Sequence, residues 1–194
     1  MKPHTPHPDR HEDNGGDEVS DLERLRLTLE STLVRRFHAA PSVRPQTVGQ
    51  HCAGVAFIAT YIYGGQDHVP KEVLLACLSH DQEEIFTGDI PFHTKRDFPK
   101  MRQLCYEMES VYNQSFMIRG LTLTPLQSFI LKLADQFEGM FWTSFHENGR
   151  MIFNAWEQSV RYLLDGAFFE RELSQSEKHR VRELFDRLTN PERE

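Results

Sequence analysis

The chain has 194 residues, 39% of them hydrophobic and 26% charged, and carries a net charge of −7. That is the composition of a globular domain long enough to bury a core; no apolar run approaches the length of a membrane span. The acidic balance also argues against a nucleic-acid-binding protein, which needs a basic face.

Residues 1–19 are rich in Pro, His, Asp and Gly and nearly free of apolar side chains, which predicts a disordered tail. Ser20-Asp21-Leu22-Glu23 is a capping-box start, and Leu22, Leu25, Leu29 and Leu33 recur as one apolar stripe on a helix ending near Phe37. Pro41 and Pro45 mark a loop over 38–46. Thr47 caps a second helix with Val48, Cys52, Val55, Ile58 and Ile62 facing inward, stopped by Gly64-Gly65. Pro70 opens a third helix that runs to His80. Gly88, Pro91 and Pro99 punctuate a long loop over 87–99, and a fourth helix is expected over 100–119. Thr124-Pro125-Leu126-Gln127 starts a helix that is apolar on several sides, through Phe129, Ile130, Leu133, Ala134, Phe137, Met140 and Phe141, and is therefore central. Helices over 150–165 and 175–188 complete an all-α bundle of about seven helices with no strand pattern.

The three cysteines, Cys52, Cys77 and Cys105, form no CxxC pair and lie in apolar helical stretches, as buried reduced thiols of a cytosolic protein do. The N-terminus has no apolar segment of the kind a secretory signal requires.

The chemistry concentrates in four residues. His80-Asp81 closes an apolar helix and begins the polar stretch Asp81-Gln82-Glu83-Glu84; a ring nitrogen and a carboxylate at one helix end can share a divalent ion. Alone the pair is as readily a surface dipeptide. His51 falls on the inward face of the second helix, where a lone histidine is more often a satisfied core residue than a ligand. Asp135 sits in the most apolar helix, where an unpaired carboxylate costs roughly several kcal/mol unless it is paired or metal-bound. Together, His51, His80, Asp81 and Asp135 give a two-His, two-Asp ligand set for one divalent ion, with Zn, Co, Mn and Mg all compatible.

The order His51, His80-Asp81, Asp135 resembles the H…HD…D pattern of HD-domain phosphohydrolases. Arg36-Phe37, the stretch Gln46-Thr47-Val48-Gly49-Gln50-His51 and His80 through Pro91 resemble, more closely, the YfbR-like 5'-deoxynucleotidases and their phage relatives, the dATP triphosphohydrolases of the DatZ type. The resemblance covers residues 30–140 and departs at Phe37, where the bacterial nucleotidases carry Trp, and at Gln50, where they carry Glu. It implies an HD-domain bundle over 20–190 and metal-dependent hydrolysis of a deoxynucleotide at its 5' phosphate, a dATP triphosphohydrolase first. A nucleotidase acting on deoxynucleoside monophosphates and a non-catalytic nucleotide-sensing module are the alternatives. It also implies a homo-oligomer that binds a small-molecule substrate, no nucleic acid and no membrane, in a cytoplasm (the host's, if the source is viral).

Glu84, one turn beyond Asp81, is placed to orient water or move a proton; the resemblance gives it the same role and puts Asp89 in support near the leaving group. Glu83 reads as a solvated neighbour. Arg36 offers a planar fork to phosphate. Phe37 is expected to lie against sugar or base or to pack in the core, and Lys95 and Arg96 against the outer phosphates of a triphosphate, although two surface cations would read the same way.

Overall fold

A computed structural model describes residues 19–40, 42–146 and 149–190. The expected tail therefore lies, but for Val19, outside the described residues. In chain order the elements are α1 (Asp21–Ser31), β1 (Arg35–Arg36), β2 (Gln46–Thr47), α2 (Val48–Tyr63), α3 (Lys71–Ser79), α4 (Glu84–Thr87), α5 (Phe92–Asp97), α6 (Pro99–Tyr112), a 3-10 turn (Asn113–Ser115), α7 (Pro125–Ser144), α8 (Arg150–Leu164), α9 (Ala167–Glu172) and α10 (Gln175–Thr189).

The long helices start where short-range chemistry starts them. Thr47 with Gln50, Thr124 with Gln127 and Ser174 with Glu177 form complete capping boxes, each satisfying two backbone donors that the first helical turn leaves free. Gly64, at φ 93°, ends α2 in the left-handed conformation that costs a side-chain-bearing residue most. α7 is the central post: Ile130, Leu133, Ala134, Phe137 and Met140 are all fully buried. α2 and α8 pack against it, α3 packs on α2 and α7, and α10 closes over α2 and α7. One apolar cluster runs through all of them, from Val55 and Ile62 to Val160, Val181 and Phe185. Among the described residues, no helix is long and apolar enough to cross a membrane.

Four expectations need correction. The first helix stops at Ser31, not near Phe37, because the chain turns into a two-stranded antiparallel ladder in which Arg35 faces Thr47 and Arg36 faces Gln46. Bonds from Val48 N to Val34 O and from Gly49 N to Thr32 O extend this clasp. Two residues per strand are too few to show alternation, so no sequence pattern announces them. The stripe Leu22, Leu25, Leu29, Leu33 faces outward, with exposures from 44% to 77%. The fourth helix ends at Tyr112 instead of 119, because buried Phe116 draws the chain inward to the start of α7. Finally, the 87–99 loop contains α5, and α9 lies between the last two expected helices; both are six-residue pieces too short to stand without their neighbours.

Candidate functional site

The end of α3, the first turns of α2 and the middle of α7 meet at one point. His51 Nε2 lies 3.1 Å from His80 Nε2. Each of those nitrogens is 3.5 Å from Asp81 Oδ2, and His51 Nε2 is 3.3 Å from Asp135 Oδ1. The donors of His51, His80 and Asp81 lie within 4.8 Å of one another, a group able to hold a metal ion, and Asp135 adjoins it through His51. A tetrahedral ion with bonds of about 2.1 Å separates its ligand atoms by about 3.4 Å, so the spacing fits. The donor chemistry fits as well: two ring nitrogens face each other across an acidic centre, each with its other nitrogen already committed. His80 Nδ1 is 3.0 Å from the Cys77 carbonyl, and His51 Nδ1 is 2.5 Å from Glu138 Oε2. Those acceptors put the proton on Nδ1 and leave the Nε2 lone pairs inward.

Why these residues converge follows from the fold. His80 caps the C-terminus of α3, where the chain bends, and Asp81 is the next residue into the bend. His51 is on the first turn of α2, on the same buried face as Cys52 and Val55. Asp135 stands on the face of α7 that meets α2, and its second oxygen accepts from Lys132 Nζ at 2.8 Å and Gln136 Nε2 at 3.0 Å. That leaves Oδ1 for His51.

The charges are strongly coupled. Burial opposes ionisation of Asp81, but His80, Arg36 and His51 outweigh it and hold the carboxyl down at about 2. Burial likewise opposes Asp135, and Lys132 and His51 hold it well below the usual carboxylate range. Glu84, the first residue of α4 and 4% exposed, goes the other way: burial and the nearby Asp81 push it up to about 9. Glu83 follows for the same reasons, to about 8; it is half-buried rather than the solvated neighbour expected from sequence.

The remaining expected residues divide. Arg36 is buried and donates from Nη1 to Asp81 Oδ2 at 2.8 Å. Phe37 has φ 59°, a strained conformation for an aromatic residue, and its amide donates to Asp89 Oδ2 at 2.9 Å. Asp89 thus fastens the Arg36-Phe37 bend to the loop after α4. Lys95, on α5, lies 3.8 Å from Glu84 Oε1. Arg96 does not come to the centre: it is half-exposed and binds its neighbour Asp97 through Nε and Nη2. A cavity of about 160 Å³ opens beside His80, lined among others by Gln82, Glu83, Glu109 and Arg119. None of Arg36, Phe37, Asp89 and Lys95 lines it, so it lies apart from the residues expected to meet a nucleotide.

Three residues at the centre were not expected from sequence. Lys132 was legible in principle, since it precedes Asp135 by the i, i+3 spacing of a helical ion pair. Glu138 repeats that spacing on the other side of Asp135, as a second carboxylate in an apolar helix. Gln46, which donates to Glu138 at 2.6 Å, begins a stretch that resembles the family, but its type and spacing point to no role at the centre.

Known proteins resemble the chain across the segment that holds these residues. The family model described as 5'-deoxynucleotidase YfbR-like matches residues 26–142, which hold all four expected ligands. A dATP triphosphohydrolase of Salmonella phage PMBT28 is 29% identical over 139 residues, 66% of this chain and 70% of that protein. A 5'-deoxynucleotidase of Pasteurella multocida is 31% identical over 96 residues, 46% of each chain, so the match spans about half of that relative. Among solved structures, the cyanophage S-2L HD phosphohydrolase (DatZ), bound to dA and one catalytic Zn2+ ion, superposes with a TM-score of 0.65 at 17% identity, over 84% of this chain and 94% of that one. At that identity it shows a shared fold.

Proposed function

The chain belongs to the YfbR-like 5'-deoxynucleotidase family and is a metal-dependent hydrolase, and from that premise we propose that it cleaves 2'-deoxynucleotides at the 5' phosphate, with dATP as the first substrate and deoxyadenosine and triphosphate as products. The observation that carries the reading is the convergence of His51, His80 and Asp81, with Asp135 against His51, beside a buried arginine and a proton-holding carboxyl. His51, His80, Asp81 and Asp135 would hold one divalent ion. When bound, that ion supplies an activated water and polarises a phosphoryl oxygen.

The protein's own groups do the rest. Arg36 has a second donor, Nε, that is buried and without an acceptor among the described residues, available to a phosphoryl oxygen. Asp89 holds the Phe37 backbone in its left-handed bend, which sets the aromatic ring at one wall of the substrate site. Glu84, kept neutral by burial and by Asp81, holds a proton that the departing 5' oxygen requires as its bond to phosphorus breaks. Lys95 faces Glu84 and would meet the outer phosphates of a triphosphate.

The Salmonella phage relative supports the triphosphate reading. The Pasteurella relative supports a second one, hydrolysis of deoxynucleoside monophosphates by the same centre. Incubating the purified protein with Co2+ and a panel of dNTPs and dNMPs, and separating the products by ion-exchange chromatography, decides between triphosphate and single phosphate as the released group. No release from any deoxynucleotide under any of Co2+, Zn2+, Mn2+ and Mg2+ would end the proposal.

A further inference from the structure

Glu138 is a charged residue of the core that the reaction leaves unassigned. It stands one turn beyond Asp135 on α7 and is 3% exposed. Burying a carboxylate costs several kcal/mol, roughly, unless each oxygen is matched, and here each is matched by a different residue. Oε2 meets His51 Nδ1 at 2.5 Å, and Oε1 accepts from Gln46 Nε2 at 2.6 Å. Both partners are themselves almost completely buried.

Two further features show that the arrangement is built around the carboxylate. Gly54, one turn beyond His51 on α2, leaves the space it occupies: a Cβ at that position would lie 2.7 Å from Glu138 Cγ and 3.0 Å from its Oε1. No side chain at Gly54 is compatible with Glu138 in its present place. Gln46 in turn faces Arg36 across the ladder. The same pair of two-residue strands that presents Arg36 to Asp81 therefore presents Gln46 to Glu138, and both faces of the centre are braced from one clasp.

We propose that Glu138 is a positioning residue of the metal centre: held by Gln46, its carboxylate fixes His51 with the proton on Nδ1, turns Nε2 towards the ion and strengthens that nitrogen as a ligand. The inference rests on His51 being a metal ligand, as proposed above. It predicts an effect on the metal that packing alone does not produce.

The test is Co2+ titration of the metal-stripped full-length protein, followed by calorimetry and by the visible absorption of bound Co2+. Wild type is compared with Glu138→Gln, Glu138→Ala and Gly54→Ala, and the melting temperature of each metal-free form is recorded. Glu138→Gln keeps the shape and an acceptor for His51. Gln46 Oε1, which has no partner among the described residues, can accept from the new amide if the Gln46 side chain turns over. The metal-free melting temperature should therefore stay near that of wild type, while Co2+ affinity falls by about 10- to 100-fold and the absorption bands move. Gly54→Ala removes no ionisable group but displaces the Glu138 carboxylate, and should weaken Co2+ binding too. Glu138→Gln with wild-type affinity and spectrum would overturn the proposal, and this comparison stands even where Glu138→Ala fails to fold. An affinity loss matched by an equal loss of metal-free stability would overturn it as well, by making Glu138 a packing residue. Wild-type protein that takes up no Co2+ would remove the metal-centre reading and this inference with it.

Discussion

Arg36 donates to Asp81 Oδ2 at 2.8 Å through one terminal nitrogen, while its Nε, equally buried, meets no acceptor among the described residues. A guanidinium held at one end and unmatched at the other is preorganised for a second anion. Arg36→Lys keeps the charge near Asp81 and removes the fork. It should lower kcat/KM for a deoxynucleotide by about 10- to 100-fold, the value of one or two charge-assisted hydrogen bonds. Steady-state kinetics on the Co2+-loaded protein read this, and an unchanged kcat/KM would confine Arg36 to balancing Asp81.

Substitution of Glu84 should separate chemistry from metal binding. Glu84→Gln retains shape and loses the proton, so turnover should fall by about 100-fold or more with Co2+ still bound stoichiometrically. His80→Ala removes a ring nitrogen from the centre and should lose metal and turnover together. Full activity in Glu84→Gln would assign proton handling elsewhere.

Much of this centre was legible in the sequence because its signals conflict with their surroundings. His51 and Asp135 are polar residues on apolar helical faces, and His80-Asp81 sits at the break between an apolar helix and a polar run. Each of those placements is costly without a reason. Of the parts that escaped reading, Glu138 shows the same conflict, a carboxylate in an apolar helix, and the others show none. Gln46 and Arg36 are joined by strands of two residues, shorter than any period can register. Gly54 looks like any helical glycine, and only the position of Glu138 shows what it makes room for. The leucines of α1 have the period of a buried face, yet periodicity reports that a face is apolar and not what covers it.

In the metal-free protein the stabilisation contributed by Glu84 and Glu83 should fall as pH rises. Burial, then Asp81, pushes Glu84 up to about 9 and Glu83 to about 8, whereas an unfolded glutamate ionises near 4.3, roughly. The folded form thus keeps protons that the unfolded form gives up. The contribution is complete below about pH 4.3 and is lost progressively as pH climbs towards 9. Asp81, held down at about 2, has the opposite sign: its stabilisation is present above about pH 4 and disappears as pH falls towards 2. Melting temperatures in a chelator from pH 5 to 9 should therefore fall more steeply for wild type than for Glu84→Gln, which has no proton to lose. Parallel curves would show that Glu84 ionises normally.

Leu22, Leu25, Leu29 and Leu33, with exposures of 44% to 77%, and α6, which contributes no buried residue, leave apolar surface exposed. A stripe of that kind in a stable protein is covered by something, and we expect a second copy of the chain. Light scattering coupled to size exclusion should give a mass at least twice that of one chain, and Leu29→Glu with Leu33→Glu should reduce it to one. A monomer at concentrations near 100 µM, roughly, would rule out self-association of physiological strength.

The sequence treats Lys95 and Arg96 as a pair of candidate phosphate contacts, and the structure separates them. Lys95 is half-buried, 3.8 Å from Glu84, whereas Arg96 is half-exposed and engaged by Asp97. If the substrate is a triphosphate, its outer phosphates need a cation near the centre, and Lys95 meets that condition. Lys95→Ala should then lower kcat/KM for dATP by about 10-fold or more, the scale of one charge-assisted contact, and affect dAMP much less. Arg96→Ala should leave both near wild type, because its charge is already matched away from the centre. Discrimination against ATP should be about 10- to 100-fold, since a 2' hydroxyl enclosed without a partner costs roughly 1–3 kcal/mol. Chromatography of the dATP reaction should show deoxyadenosine and intact triphosphate in equal amounts. Inorganic phosphate released from dAMP with dATP untouched would select the monophosphate reading, and equal rates on ATP and dATP would dispose of a pocket closed at the 2' position.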